Sequence, residues 1–190
     1  MSKPVLPLGG ASSQGIVTVA EHGPAGMITL RGDLSSEALI KAVTDLTGAA
    51  MPGQRGANTN GDYGLLWMSP DELLILLPYA EADAAVATLD TALAGTHFLA
   101  VNVSDARAQF ILKGAAVREV IAKIAPVDLS PAAFAPGEVR RTRFAQVAAG
   151  FWLADAETAH VFCFRSVAEY MFNTLRAVSV TGSEVGVFTA

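Results

Sequence analysis

The chain has 190 residues, 52% of them hydrophobic and only 16% charged, with a formal net charge of −5. That balance argues against a polyanion-binding role, which draws on clustered Lys and Arg, and no apolar run approaches the roughly 18 residues of a membrane span. A charge content well under the roughly 25% of an average domain calls for an unusually full core or for a surface covered by partners.

Residues 1–14 read as a loosely held arm. Pro4, Pro7 and two glycines within the first ten positions leave no apolar core for a secretory leader. Residues 16–20 and 27–30 read as short strands joined through Gly23-Pro24. A helix is predicted over 35–47, with Ser35 as N-cap, Glu37 in the first turn, Leu39, Val43 and Leu46 as its apolar stripe and Gly48 at its stop. Residues 52–64 turn polar and glycine-rich and read as the longest polar loop. Two apolar runs, 65–68 and 73–77, flank Ser69-Pro70-Asp71-Glu72 as a four-residue hairpin connection. A second helix is expected over 82–93, with Val86, Leu89 and Leu93 in register.

The run 108–112 suits a strand. After Gly114, the residues Ala116, Val117, Val120, Ile121 and Ile124 mark one stripe of a helix that Pro126 stops. A loop with Pro131, Pro136 and Gly137 leads into a strand entered through arginines. Residues 151–154 and 160–164 form a hairpin across 155–158. The last helix opens with a capping box, Ser166-Val-Ala-Glu169, and its stripe is Val167, Tyr170, Met171, Leu175 and Val178. Residues 178–188 read as a glycine-punctuated, strand-like tail.

The second half repeats landmarks of the first. Ile28-Thr-Leu-Arg-Gly32 and its helix correspond to Phe110-Ile-Leu-Lys-Gly114 and its helix, 82 residues on. Trp67 with its acidic turn corresponds to Trp152 with its own, 85 residues on. The expected architecture is α+β: two similar strand-helix-hairpin-helix half-units with antiparallel or mixed sheets. In this reading 15–190 is one compact unit built of pseudo-repeats at about 15–98 and 99–190, preceded by the 1–14 arm.

Chemistry-bearing patterns are sparse. His22, His97 and His160 are isolated, with no Glu or Cys at ligand spacing. Cys163, the single cysteine, sits between Phe162 and Phe164 and reads as a buried, reduced thiol, which suits the cytoplasm. No phosphate-cradling glycine loop and no nucleophile elbow occur. Asp105 and Arg107, two apart, would share one face of a strand as a local pair or as a contact for a partner. Arg140, Arg141 and Arg143 would be split by strand alternation across two faces. They suit either an anionic ligand or acidic partner residues, or else plain solvation of a strand edge. Trp67 and Trp152 read as core or sheet-face fillers.

The central stretch resembles the folate-binding aminomethyltransferase family of the glycine cleavage system. The features are Lys113-Gly114 before a helix, Val127-Asp128-Leu129-Ser130, Pro136-Gly137 and the strand entered through Arg141-Thr142. Roughly from residue 26 to 178, the chain more closely resembles the gamma-subunit family of heterotetrameric sarcosine oxidase. The matching pieces are Trp67-Met-Ser-Pro-Asp-Glu-Leu-Leu-Ile-Leu, Val103-Ser-Asp-Ala-Arg, Pro126-Val-Asp-Leu, Phe134, Pro136-Gly137, Arg141-Thr142, and Phe164-Arg165-Ser166 with Tyr170.

The resemblance implies a folate-domain fold and an assembly that demethylates sarcosine oxidatively to glycine. Hydrogen peroxide forms, and tetrahydrofolate captures the one-carbon unit. FAD, FMN, NAD and tetrahydrofolate are then expected in the larger alpha-, beta- and delta-type subunits and none in this chain. Aminomethyltransferases place a carboxylate pair after a glycine in the strand following the arginine-entered one. Here Gly150 precedes Phe151, Trp152 and Leu153, so no acid stands there for general acid–base work. The implied role is a non-catalytic packing subunit, without nucleic acid or membrane partners. A stand-alone folate-binding or aminomethyl-transfer protein and a self-associating scaffold are the alternatives.

Overall fold

A computed structural model describes residues 4–188. In chain order its strands are β1 (Ser12–Gln14), β2 (Thr18–Glu21), β3 (Ala25–Gly32), β4 (Ala57–Asn60), β5 (Tyr63–Ser69), β6 (Glu72–Pro78), β7 (Phe98–Asn102), β8 (Arg107–Lys113), β9 (Val139–Phe144), β10 (Val147–Leu153) and β11 (Thr158–Phe164). The helices are α1 (Glu37–Thr47), α2 (Ala82–Ala92), α3 (Val117–Ala122) and α4 (Ala168–Val178). The α+β class is as expected, and every described strand pairing is antiparallel.

The chain divides into two compact units: Pro24–Asp105, and the described residues up to Gly23 together with those from Ala106 onward. The first holds a five-stranded sheet in the order β4-β5-β6-β3-β7. The second holds a six-stranded sheet, β9-β10-β11-β8-β2-β1. Alternation along each strand sends every second side chain to the helix-covered face. In the first unit Ile28, Leu30, Leu65, Leu73, Ile75 and Leu77 pack with Leu39, Val43, Leu89 and Leu93 from the helices. In the second, Phe110, Leu112, Phe151 and Val161 pack with Val117, Val120, Ile121, Met171 and Leu175.

The unit boundaries differ from the 15–98 and 99–190 division read from the repeat. Thr18–Glu21 hydrogen-bonds β8, with Thr18 opposite Lys113 and Glu21 opposite Phe110. Phe98–Asn102 stays with β3, with Ile28 opposite Asn102 and Gly32 opposite Phe98. The expected arm is also tied down from Leu8 onward. Ser12–Gln14 pairs with β2, and the N–H groups of Leu8 and Gly10 donate to the Glu21 carboxylate at 3.0 and 2.7 Å. Residues 1–3 of that arm lie outside the described residues.

Several local expectations are corrected. Ser36, not Ser35, stands at the start of α1. Ser35 donates its N–H and its hydroxyl to Asp33 Oδ1, at 2.9 and 2.6 Å. Gly48 closes α1 at φ 64°, as expected. The 52–64 loop contains β4, an edge strand whose backbone pairs with β5 despite its polar Asn-Thr-Asn side chains. The following hairpin turns through Pro70-Asp71 alone, with an irregularity between Trp67 and Ser69.

The capping box at 166–169 does not form. Arg165–Val167 makes a 3₁₀ turn, α4 starts at Ala168, and Val167 precedes it without a side-chain cap. Tyr170 is exposed, and Phe172 takes the buried position beside Met171. The tail after Val178 is irregular rather than a strand. Lys123 Nζ donates to the carbonyls of Val178 and Ser183, and Glu119 accepts the N–H groups of Val185 and Gly186.

The aromatic centre of the second core gives a test. Phe151 packs between Phe134, with ring centroids 5.1 Å apart, and Phe144, 5.5 Å apart, and all three rings are fully buried. Phe151→Ala should cost about 3–5 kcal/mol, because the rings around the void cannot close it. A urea titration would read this as a lower midpoint at unchanged slope.

Candidate functional site

The polar and aromatic side chains gather on the helix-free face of the six-stranded sheet. The register builds cross-strand rows there. Gln109, Phe162, Gly150 and Arg141 stand in line across β8, β11, β10 and β9, and so do Ile111, His160, Trp152 and Val139. A third row starts with Arg107 opposite Phe164 and ends with Ala148 opposite Arg143.

These rows are held by contacts between side chains. The Arg107 guanidinium lies 4.7 Å from the Phe164 ring centre and 5.9 Å from that of Phe162, so its charge meets ring faces. Phe162 in turn lies across Gly150, where a Cβ would sit 2.1 Å from the ring. Only glycine lets that ring settle. His160 stacks flat on Trp152, with centroids 4.5 Å apart and planes 6° apart, and Gln109 Nε2 donates to its Nδ1 at 3.0 Å. Trp152 Nε1 and Gln109 Oε1 are buried without a protein partner.

Burial sets the protonation states. It pushes His160 down to about 4, helped by the neighbouring charges of His22 and Lys113 and opposed by Asp155. His160 is therefore neutral at neutral pH, and as an acceptor at Nδ1 it carries its proton on Nε2. Burial likewise pushes the Cys163 thiol up to about 12, with the Arg107 charge acting weakly against it. A thiol so placed offers no thiolate for nucleophilic attack near neutrality.

The position that the resemblance assigns to catalytic carboxylates is filled with hydrocarbon. Phe151, Trp152 and Leu153 are all buried. The nearest acid along the chain, Asp155, accepts the Glu157 N–H at 2.8 Å, and that bond lowers its pKa. It shapes the turn between β10 and β11.

The residues singled out from the sequence separate as follows. Asp105 does not share a strand with Arg107. It lies in the 3₁₀ turn Ser104–Ala106, where both its carboxylate oxygens accept the Tyr79 hydroxyl at 3.0 Å. Arg107 opens β8. The arginine cluster divides between faces as alternation requires. Arg141 and Arg143 share the face of Arg107, and Arg140 points to the other, 4.9 Å from the Phe134 ring centre and near Glu138. The sequence reading passed over Gln109, His160, Phe162 and Phe164 as a set. Their signal was the alternation itself, since apart from Ile111 every second residue of β8 and β11 on this face is polar or aromatic.

The Pro24–Asp105 unit carries a surface cleft of about 360 Å³ lined by Arg31, Gly32, Asp71, His97, Phe98 and Leu99. Arg31 is engaged there by Glu72 at 2.8 Å and Asp71 at 3.7 Å. Among the described residues no three His, Cys, Asp or Glu side chains converge as metal ligands, and no helix is long and apolar enough to cross a membrane.

Comparison with known proteins gives one consistent outcome. The model of the sarcosine oxidase, gamma subunit family matches residues 31–181. A sarcosine oxidase subunit gamma from an Arthrobacter species is 28% identical over 155 residues, covering 79% of this chain and 73% of that protein. Among solved structures, a heterotetrameric sarcosine oxidase from Corynebacterium sp. U-96, in complex with pyrrole 2-carboxylate, matches with a TM-score of 0.78 at 24% identity, covering 86% of this chain and 83% of that one. Aminomethyltransferase T of the glycine cleavage system from Bartonella henselae matches with a TM-score of 0.61 at 14% identity, over 85% of this chain and 45% of that one. The fold relation expected from the sequence therefore holds.

His160 supplies a pH test. Between its unfolded value near 6.5 and its folded value near 4, the unfolded chain binds more protons, so stability rises with pH across that window. The contribution is complete above pH 6.5 and is lost as pH falls towards 4. His160→Gln should melt with a flatter dependence than the parent between pH 7 and pH 4.5. Parallel melting curves for the two would contradict the assignment.

Proposed function

The chain belongs to the sarcosine oxidase gamma subunit family, and from that premise we propose that it is the small, non-catalytic subunit of a cytoplasmic heterotetramer. The assembly demethylates sarcosine oxidatively to glycine, forms hydrogen peroxide and passes the one-carbon unit to tetrahydrofolate. FAD, FMN, NAD and tetrahydrofolate belong to the larger alpha-, beta- and delta-type partners, and this chain contributes packing and assembly. The observation that carries the reading is β10, where Phe151, Trp152 and Leu153 occupy the place at which an aminomethyltransferase would need acids. The neutral His160 and the un-ionised Cys163 beside it support the same conclusion.

In this reading the two units descend from one strand-helix-hairpin-helix plan. The order β4-β5-β6-β3-β7 parallels β9-β10-β11-β8-β2 strand for strand. Arg31-Gly32 and Lys113-Gly114 end the equivalent strands β3 and β8, and Trp67 and Trp152 lie on the equivalent strands β5 and β10. Folate-type architecture without folate-type acids is what a duplicated domain retained for assembly would show.

A second reading, binding of a folate by the chain itself, draws on the buried Trp152 Nε1 and Gln109 Oε1 that share a sheet face with Arg141 and Arg143. Two measurements separate the readings. The purified chain should show no flavin absorbance, no sarcosine turnover and no saturable uptake of tetrahydrofolate, and turnover should appear when the larger subunits are co-expressed. Sarcosine oxidation by the isolated chain would refute the first reading. Tight, saturable tetrahydrofolate binding would favour the second.

A further inference from the structure

The four sheet edges are not treated alike. β1 is short and polar, β4 presents Asn58 and Asn60, and β9 carries Arg141 and Arg143. Short length and polar or charged side chains are the usual guards against strand addition. β7 has neither guard. Its sequence is Phe-Leu-Ala-Val-Asn, and Leu99 and Val101 stand 54% and 41% exposed on one face.

The backbone of β7 is open as well. The Val103 N–H donates to the Met27 carbonyl at 2.8 Å, continuing the β3–β7 register. Bonded and non-bonded positions alternate in an antiparallel ladder. Leu99 and Val101 therefore direct their N–H and C=O groups to β3, while Phe98, Ala100 and Asn102 direct theirs to the open edge.

The other sheet shows what such an edge takes. There β2 stands beside β8 as β7 stands beside β3, and β2 is covered by β1, paired antiparallel from Ser12 opposite Ala20 to Gln14 opposite Thr18. The hairpin that delivers β1 has no counterpart before β7. The preceding residues turn out of α2, with the Thr96 N–H and hydroxyl both donating to the Leu93 carbonyl. Among the described residues no strand occupies the place.

We infer that the open edge of β7 receives a short extended segment of one of the larger subunits, paired antiparallel where β1 pairs with β2. The inference rests on the subunit reading above. The segment is apolar at alternate positions, to cover Leu99 and Val101. The cleft lined by Arg31, Asp71, His97 and Leu99 lies at the Phe98 end and takes a side chain from the segment's terminus. Charge selects a foreign segment over a second copy. Asp33 and Asp71 line clefts at the Phe98 end, and Asp83 accepts the Asn102 side-chain N–H at the other end, at 2.7 Å. Arg31 bridges Asp71 and Glu72 at the Phe98 end, so with Asp33 three carboxylates stand there against one guanidinium. Antiparallel pairing of two β7 strands would set that net negative end against Asp83, whereas a segment with a basic flank at the Asn102 end meets Asp83 favourably.

Amide exchange read residue by residue, on the full chain alone and in the assembled complex, tests this. The Phe98, Ala100 and Asn102 amides should exchange freely in the isolated chain and slow by about tenfold or more on assembly, the scale of one hydrogen bond. Ala100→Pro removes an outward donor while leaving the ladder to β3 intact, a place where an edge strand tolerates proline. It should weaken assembly with the larger subunits by about tenfold or more. Val101→Lys, which leaves the backbone unaltered, should do the same and decides the matter if the proline variant does not fold. Parent-like assembly of Val101→Lys, or exchange at β7 that does not change on assembly, would overturn the inference. So would β7 protection already present in the isolated chain with concentration-dependent dimerisation, which would assign the edge to a second copy. If the parent itself fails to assemble with the larger subunits, it is the subunit reading that falls.

Discussion

The pairing of β2 with β8 is the contact on which the rest of the structure depends. It joins residues 18–21 to 110–113, and its counterpart joins 98–102 to 28–32. In each sheet the strand beside the central one comes from the segment that leads into the other sheet's central strand. The six-stranded sheet is complete only when residues 12–21 meet those from 107 onward, whereas the five-stranded sheet lies wholly within Pro24–Asp105. Such long-range pairing costs loop-closure entropy before it returns any stability, so β2 can join β8 only after the whole Pro24–Asp105 stretch between them has been closed into a loop. Gly114 serves the exchange locally. At φ +143° it adopts a backbone that other residues avoid, and a Cβ there would press within 3.3 Å of Ile16 and Val17, just before β2 begins.

The same burial that completes the second sheet removes its chemistry. His160 and Cys163 both lie on β11, on opposite faces, and desolvation moves each away from neutrality in the direction that discharges it. A catalytic base or nucleophile is tuned the other way, towards a pKa near the working pH or towards an available anion. Arg107 keeps its charge but spends it on aromatic faces. A perturbed pKa is often a pointer to function. Here it records packing, because the leading cause of both shifts is desolvation by burial, with neighbouring charges secondary.

What could be read from the sequence follows from where the information is local. The runs 65–68 and 73–77 are apolar on both faces and suit buried strands, and 108–112, apolar but for Gln109, suits one too; all three are largely buried strands. The division of Arg140 from Arg141 and Arg143 followed from alternation alone. β4 was hidden because its side chains are Asn and Thr, and only its backbone is recruited, by β5. The Ser166–Glu169 pattern suited a cap, but a 3₁₀ turn leads into α4 two residues later. Tyr170 and Phe172 both fit a helical stripe, and the choice between them belongs to the sheet beneath. That Arg107 shares a face with Arg141 and Arg143 depends on the strand order β8-β11-β10-β9, which no local pattern encodes. The matched offsets could not show which strands each sheet takes, since equal sequence offsets are satisfied equally by pairing within a half or across.

The low charge of the chain called for an unusually full core or a surface covered by partners, and the described residues supply the full core. Most of the apolar surplus is consumed by strands buried on both faces. Residues 72–77 of β6 are buried without a break, and so are 149–153 of β10. A sheet covered on one face needs only every second residue apolar, so covering both nearly doubles the demand. Among the described residues, the large exposed hydrophobics Val5, Val180, Val185 and Val187 lie in irregular segments, Tyr170 stands on α4, and Phe164 lies under the Arg107 guanidinium. Leu99 and Val101 are the pair that stand side by side on a strand whose backbone is also unspent. Composition alone leaves a full core and a covered surface equally open. The distribution of burial points instead to a narrow contact, in which main-chain hydrogen bonds supply the geometry and two side chains supply the apolar cover.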